Sequence, residues 1–231
     1  MVRVQVPVCW RYLAFLSDLS LFHHRQDLQE FTSLKGLQLG GFANLTSPGL
    51  AQIAHQCPQV EQLSVNEDED NISDDNLNFF IKRLKGSLRH LHINKGVVLT
   101  DKSLSNLGLL TKLEYLYIGF HAEVGPRGLR AIASLSNLKR LTIMGWKEYL
   151  QGEDLVGAFS NRKLEKLKWL GLQFCGELLD ADAGLMALAK SCPNLERLLL
   201  DTSGEFTDTS LMFFVNSCKF LTSIDLGAVN R

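Results

Sequence analysis

His90 and His92 stand two residues apart in the sequence, and Tyr115 and Tyr117 repeat that spacing one segment later. Residues two apart share one face of an extended strand, so each pair presents two rings on the same side. Two imidazoles on one strand are the start of a metal site, but two ligands do not complete one. Arg140, Trp169 and Arg197 suit different chemistry. A guanidinium matches a carboxylate or phosphate with two parallel hydrogen bonds, and an indole buries a large area with few rotatable bonds. Catalytic motifs are missing: the chain has no G-x-S-x-G, no H-E-x-x-H, no C-x-x-C and no glycine-rich phosphate loop ending in Lys-Ser or Lys-Thr. Binding without catalysis is therefore expected, with no cofactor and no metal.

A repeat positions these residues. The stretch Leu167 to Leu200 opens with Leu167, Leu170 and Leu172, spaced L-x-x-L-x-L, and Cys175 follows three residues later. Leu185, Met186, Leu188 and Ala189 then recur at helical spacing, and Cys192-Pro193-Asn194 leads into the next core at Leu195, Leu198 and Leu200. The same core, with Ile or Val allowed, begins at Leu34, Val60, Leu88, Leu113, Leu138, Leu167, Leu195 and Leu221, at intervals of 26, 28, 25, 25, 29, 28 and 26 residues. Periods of roughly 20 to 29 residues are those of a leucine-rich repeat. Each unit leaves two apolar sides uncovered, so the units must stack. The expected fold is an α/β leucine-rich-repeat solenoid, a horseshoe with a parallel concave sheet and convex helices.

Residues 34–231 read as one leucine-rich-repeat domain of about eight repeats, the last incomplete. Residues 1–33 read as an irregular N-terminal cap, because Leu16, Leu19 and Leu21 lie too close to Leu34 for a full helix-bearing unit. The helices start at recognisable signals. Thr46 or Ser47 precedes Pro48, and Ser73-Asp74, Thr100-Asp101 and Thr207-Asp208 each offer a hydroxyl or an Asp to cap the helix they open. Val124-Gly125-Pro126 is expected to lose the side-chain cap while keeping the proline start. The unit around Leu150 to Leu155 reads as longer and less regular. Only Gly227 to Arg231 follow the last core of Leu221, Ile224 and Leu226, so that end is expected to be truncated or covered by a partner.

The 231 residues carry a net charge of −1, which gives no global electrostatic footprint for nucleic acid or an anionic membrane. No run reaches the roughly 18 to 20 apolar residues of a membrane-spanning helix, and Met1 to Pro7 lacks the apolar core of a signal peptide. A soluble protein of the cytoplasm or nucleus is the expectation. Cys57, Cys192 and Cys218 occupy the same place in three units and read as small buried fillers, not bridge partners. Cys175 falls where this repeat class places Asn or Cys to cap the loop backbone. The run Glu67 to Asp70 reads as a solvated loop; it lacks the spaced oxygens and glycine turn of a calcium loop.

Cys57-Pro58-Gln59-Val60-Glu61-Gln62-Leu63 and Cys192-Pro193-Asn194-Leu195-Glu196-Arg197-Leu198 share the pattern C-P-x-L-E-x-L, and the helix starts share L-T-D-x-x-L. Over about residues 34 to 226 the chain resembles the cysteine-containing leucine-rich repeats of the F-box/LRR proteins and their ribonuclease-inhibitor-like relatives. The resemblance implies the substrate-recognition part of a ubiquitin ligase receptor, in which the repeats hold the substrate. Val8-Cys9-Trp10-Arg11-Tyr12-Leu13 looks like the closing helix of an F-box, but no complete F-box is present. A Skp-type adaptor and a cullin are therefore expected only if an F-box lies upstream. The alternative is an accessory or scaffold subunit of a larger intracellular assembly.

Within each strand the L-x-L residues face the core, so the residues between them face outward from the inner sheet. A single register gives three lanes. The first reads Gly36, Gln62, His90, Tyr115, Arg140, Trp169, Arg197, Ser223; the second reads Gln38, Ser64, His92, Tyr117, Thr142, Gly171, Leu199, Asp225. The third reads Gly40, Asn66, Asn94, Gly119, Met144, Gln173, Asp201, Gly227. With strands about 4.8 Å apart, His90, Tyr115, Arg140, Trp169 and Arg197 would form a row about 20 Å long. The concave partner site is expected at His90, His92, Tyr115, Tyr117, Arg140, Met144, Trp169, Gln173, Arg197 and Asp201. Its arginines suit an acidic or phosphorylated protein segment. An internal cation–π ladder of Arg140, Trp169 and Arg197 is the competing use of the same residues.

Overall fold

The computed structural model describes residues 33–40, 47–66, 73–94, 99–119, 124–144, 151–173, 180–201 and 206–227. The expected cap, apart from Ser33, lies outside the described residues, as do Cys9, Cys175 and the acidic run Glu67 to Asp70.

The first seven units each start with a residue shut away from water: Leu34, Val60, Leu88, Leu113, Leu138, Leu167 and Leu195 are all buried, while Leu221 of the eighth is half-buried. The chain then extends into a strand. These strands are β1 (Gly36–Gly40), β2 (Gln62–Asn66), β3 (His90–Ile93), β4 (Tyr115–Ile118), β5 (Arg140–Met144), β6 (Trp169–Gln173), β7 (Arg197–Asp201) and β8 (Ser223–Leu226). They form one parallel eight-stranded sheet in sequence order. A parallel neighbour requires a crossover, and α1 (Ser47–Gln56), α2 (Asp74–Leu84), α3 (Asp101–Leu104), α4 (Pro126–Ala133), α5 (Gly152–Phe159), α6 (Ala181–Ser191) and α7 (Asp208–Ser217) supply it. In the third crossover α3 tightens into a 3-10 turn at Ser105–Leu109. The fold is the leucine-rich-repeat solenoid that the spacing predicts.

The predicted register also holds. Leu37 pairs with Leu63 and Leu39 with Val65, and the pattern continues through Leu141 with Leu170 and Ile143 with Leu172. These residues join the helix faces, Leu77, Phe80 and Ile81 of α2 or Leu185 and Leu188 of α6, in one continuous core. Each fully buried Leu or Phe contributes roughly 1.5–3 kcal/mol relative to exposure. Cys57, Cys192 and Cys218 are buried fillers in that core, and the Cys218 thiol donates to the Cys192 carbonyl of the preceding unit at 3.3 Å. Helices approach closely where the sequence has glycine: a Cβ on Gly184 of α6 would lie 2.8 Å from the Gly152 carbonyl oxygen of α5.

The helix caps differ from expectation in an informative way. The hydroxyls do cap their own helices: Ser73 accepts from the Asn76 amide, Thr100 from Lys102 and Thr207 from Thr209. The aspartates instead serve the next unit. Asp74 accepts from the Thr100 amide at 2.9 Å and its hydroxyl at 2.5 Å. Asp182 accepts from the amide and hydroxyl of Thr207 in the same manner. Asp101 accepts from the amides of Gly125, Arg127 and Gly128, so α4 does not lack a side-chain cap; it receives one from its predecessor. A Cβ on Gly125 would come within 2.8 Å of that carboxyl group, which is why glycine stands there. The fifth helix also closes regularly, because Gln151 and Asp154 form a reciprocal capping box.

Candidate functional site

The strand-centre residues face a concavity of about 600 Å3 on the inner side of the sheet. Register places Arg140 between Tyr115 and Trp169, and Trp169 between Arg140 and Arg197. Of the ten predicted site residues, His90, His92, Tyr115, Tyr117, Arg140, Trp169 and Gln173 line the concavity. Met144 and Asp201 stand beside Gln173 in the third lane, and Arg197 continues the first lane beyond Trp169. Gln38, Gln62 and Ser64 form a small polar end of the same hollow, and Leu199 an apolar one. The sequence shows these four in the lanes, but their types carry no signal that separates them from ordinary strand surface.

Trp169 is the centre of the row. The Arg140 guanidinium carbon lies 4.0 Å from the indole centroid and that of Arg197 lies 5.6 Å away. The ladder expected as the competing use of these residues is therefore present. It brings both guanidinium groups to the indole, and both arginines remain exposed. Among the described residues neither arginine has a carboxylate partner. The indole itself folds over Gly171, where an added Cβ would meet Trp169 Nε1 at 3.5 Å and the Thr142 side chain at 3.4 Å. Thr142 is consequently buried although its lane faces outward. Trp169 Nε1 is the one buried polar side-chain atom among the described residues with no hydrogen-bond partner.

Histidine and tyrosine pair across β3 and β4. His92 and Tyr117 stack at 4.1 Å with planes 14° apart, whereas His90 meets Tyr115 edge to face at 4.4 Å. The Tyr117 hydroxyl donates to Met144 Sδ at 2.8 Å. Burial lowers the pKa of both imidazoles, with Glu114 pulling the other way on His90, and burial raises that of Tyr117. No group of three or more His, Cys, Asp or Glu side chains arranged to hold a metal occurs among the described residues.

A row of charges runs alongside the first lane, at the residue preceding each of the strands β1 to β7. Lys35 binds Glu61 at 2.8 Å, Arg89 reaches Glu61 and Glu114, and Lys139 binds Glu114 at 2.6 Å. Lys168 pairs with Glu196 at 2.5 Å. Hydrogen bonds from Lys139 and Arg89 hold the Glu114 carboxyl below the usual carboxylate range. The alternation breaks between Lys139 and Lys168, two cations on adjacent units, immediately beside Arg140 and Trp169. Sequence reading missed this row, although the alternating signs at a fixed repeat position were there to find.

No helix among the described residues is long and apolar enough to cross a membrane. No family model matches the sequence. Among solved structures, the chain is similar to one described as the crystal structure of the Rad7 and Elc1 complex in yeast, with 20% identity and a TM-score of 0.36 over 85% of this chain and 63% of that chain. The chain thus spans less than two thirds of that chain's length.

Proposed function

We propose that this protein is a non-catalytic interaction module that binds an acidic or phosphorylated protein segment on its concave face. The observation that carries this reading is the Arg140–Trp169–Arg197 row: an indole held between two guanidinium groups that have no carboxylate partner among the described residues, set where the neighbouring charge alternation fails. Trp and Arg are the types that dominate binding hot spots, and charge-assisted bonds to Arg are the strong ones. The finer reading follows from the repeat motifs around Cys57 and Cys192: the substrate-recognition part of an F-box/LRR-type ubiquitin ligase receptor, acting in the cytoplasm or nucleus. A Skp-type adaptor and a cullin would join only if an F-box lies upstream.

The deciding experiment is affinity purification of the full-length gene product, with Tyr115, Trp169 and Arg197 intact or all changed to alanine. A Skp-type adaptor and a cullin recovered with both baits, and one further protein lost with the altered one, is the expected result. A fixed multi-subunit complex that lacks those adaptors and ignores the triple change would establish a second reading, an accessory or scaffold subunit. Reversing both charges, Arg140→Glu with Arg197→Glu, should abolish partner recovery if the concave row is the site.

A further inference from the structure

Resting on the concave-face reading, we infer that the bound segment is an extended, polyproline-like peptide carrying two anionic residues three positions apart, one for Arg140 and one for Arg197. Arg140 lies on β5 and Arg197 on β7, with Trp169 of β6 between them in one lane. Two strand spacings amount to about 9.6 Å. Arg140 reaches the indole from one neighbouring strand and Arg197 from the other, so the ring stands between the two charges. Two anions spaced to match the strands give each guanidinium a partner of its own and leave the ring in place.

The spacing selects the backbone. In a polyproline II chain the rise of about 3.1 Å with three residues per turn puts residues i and i+3 on one face about 9.3 Å apart. In a β-strand residues i and i+2 are only about 6.7 Å apart, and i+3 points to the opposite face. On an α-helix the i, i+3 and i, i+4 pairs are about 5–6 Å apart, too short to straddle the ring, and the i, i+7 pair at about 10.5 Å overshoots the two-strand spacing by more than the polyproline pair falls short of it. A polyproline-like segment also suits the floor, because grooves lined by aromatic rings are what such segments dock onto. Trp169 would meet the two residues between the anions, and the exposed ring of Tyr115 would meet those beyond Arg140. The chain of the ligand would cross the strands along the first lane, and the hollow over Gly36 and Gln62 would receive its far end.

The test is fluorescence anisotropy of the whole chain with labelled proline-rich peptides bearing two phosphoserines at i and i+2, i and i+3, or i and i+5, alongside a peptide with one. The expected result is tightest binding at i, i+3, by about ten-fold or more over the others, with Arg140→Gln reducing that peptide to the level of the single phosphoserine. Equal affinity at all spacings, still lost on Arg140→Glu with Arg197→Glu, would overturn the spacing while leaving an anion-binding concave face. Equal affinity of the singly and doubly phosphorylated peptides would do the same in favour of one shared anion. No binding of any peptide, or binding indifferent to both arginines in variants with unchanged circular dichroism, would overturn the concave-face reading itself.

Discussion

Two kinds of residue in this protein are set by burial, and each yields a measurable expectation. His90 and His92 have depressed pKa values because the folded chain shields them from water. The unfolded chain therefore takes up protons first as the pH drops. Stability conferred by the neutral rings is complete above the ordinary imidazole value of about 6.5 and declines below it, until the lower folded-state values are passed. Melting temperatures measured at about pH 7.5 and about pH 5.5 should fall less between the two in the His90→Gln, His92→Gln variant than in the parent. The thiols behave in the opposite sense. Burial pushes Cys57 and Cys218 up to about 11 and raises Cys192 as well, so little thiolate forms at neutral pH. Alkylation mapped by mass spectrometry should modify these three only at the rate at which the domain opens. Both results were partly legible in the sequence: the repeat position of the three cysteines announces burial, and the lane register sets Tyr115 beside His90 and Tyr117 beside His92, but not the ring contacts that shield the imidazoles.

At the level of the element, strands were legible and the connections between units were not. L-x-x-L-x-L fixes which residues face the core because a strand has period two, and every lane pairing follows once one register is known. Helix starts are read correctly only as far as the hydroxyl. A carboxylate that reaches into the next repeat depends on the distance between adjacent units, which no local pattern encodes. Asp101 is the sharpest case, with three amides of α4 as donors. Loss of a side-chain cap costs about 0.5–2 kcal/mol, so Asp101→Ala should lower unfolding free energy by about the upper end of that range in a denaturant titration. Glutamate should not rescue it, because Gly125 and Gly128 leave no room for a longer side chain to fold back. Gly184→Ala tests the helix contact in the same way: its Cβ meets the Gly152 carbonyl and Leu155, and overpacking of this sort costs about 1–3 kcal/mol.

For the whole molecule, stability is a sum over neighbouring units rather than the property of one central core. Leu170 is fully buried in β6, between β5 and β7. Leu170→Asp would place a charge in two stacking surfaces at once, and the expected outcome is loss of the cooperative transition in circular dichroism. A soluble variant with unchanged melting would show that the register is wrong. The aspartate contacts add a direction to this sum. Asp74 serves the helix start at Thr100, Asp101 the helix start at Gly125, and Asp182 the helix start at Thr207; in each case the carboxylate precedes in the chain the helix it caps. A ribosome releases the amino end first. Each of these three helices therefore emerges against a preceding unit that already displays its anion, so assembly during synthesis can advance like a zip from the amino end. A break introduced near that end should orphan the unit after it, while one introduced near the other end leaves every earlier helix start still satisfied.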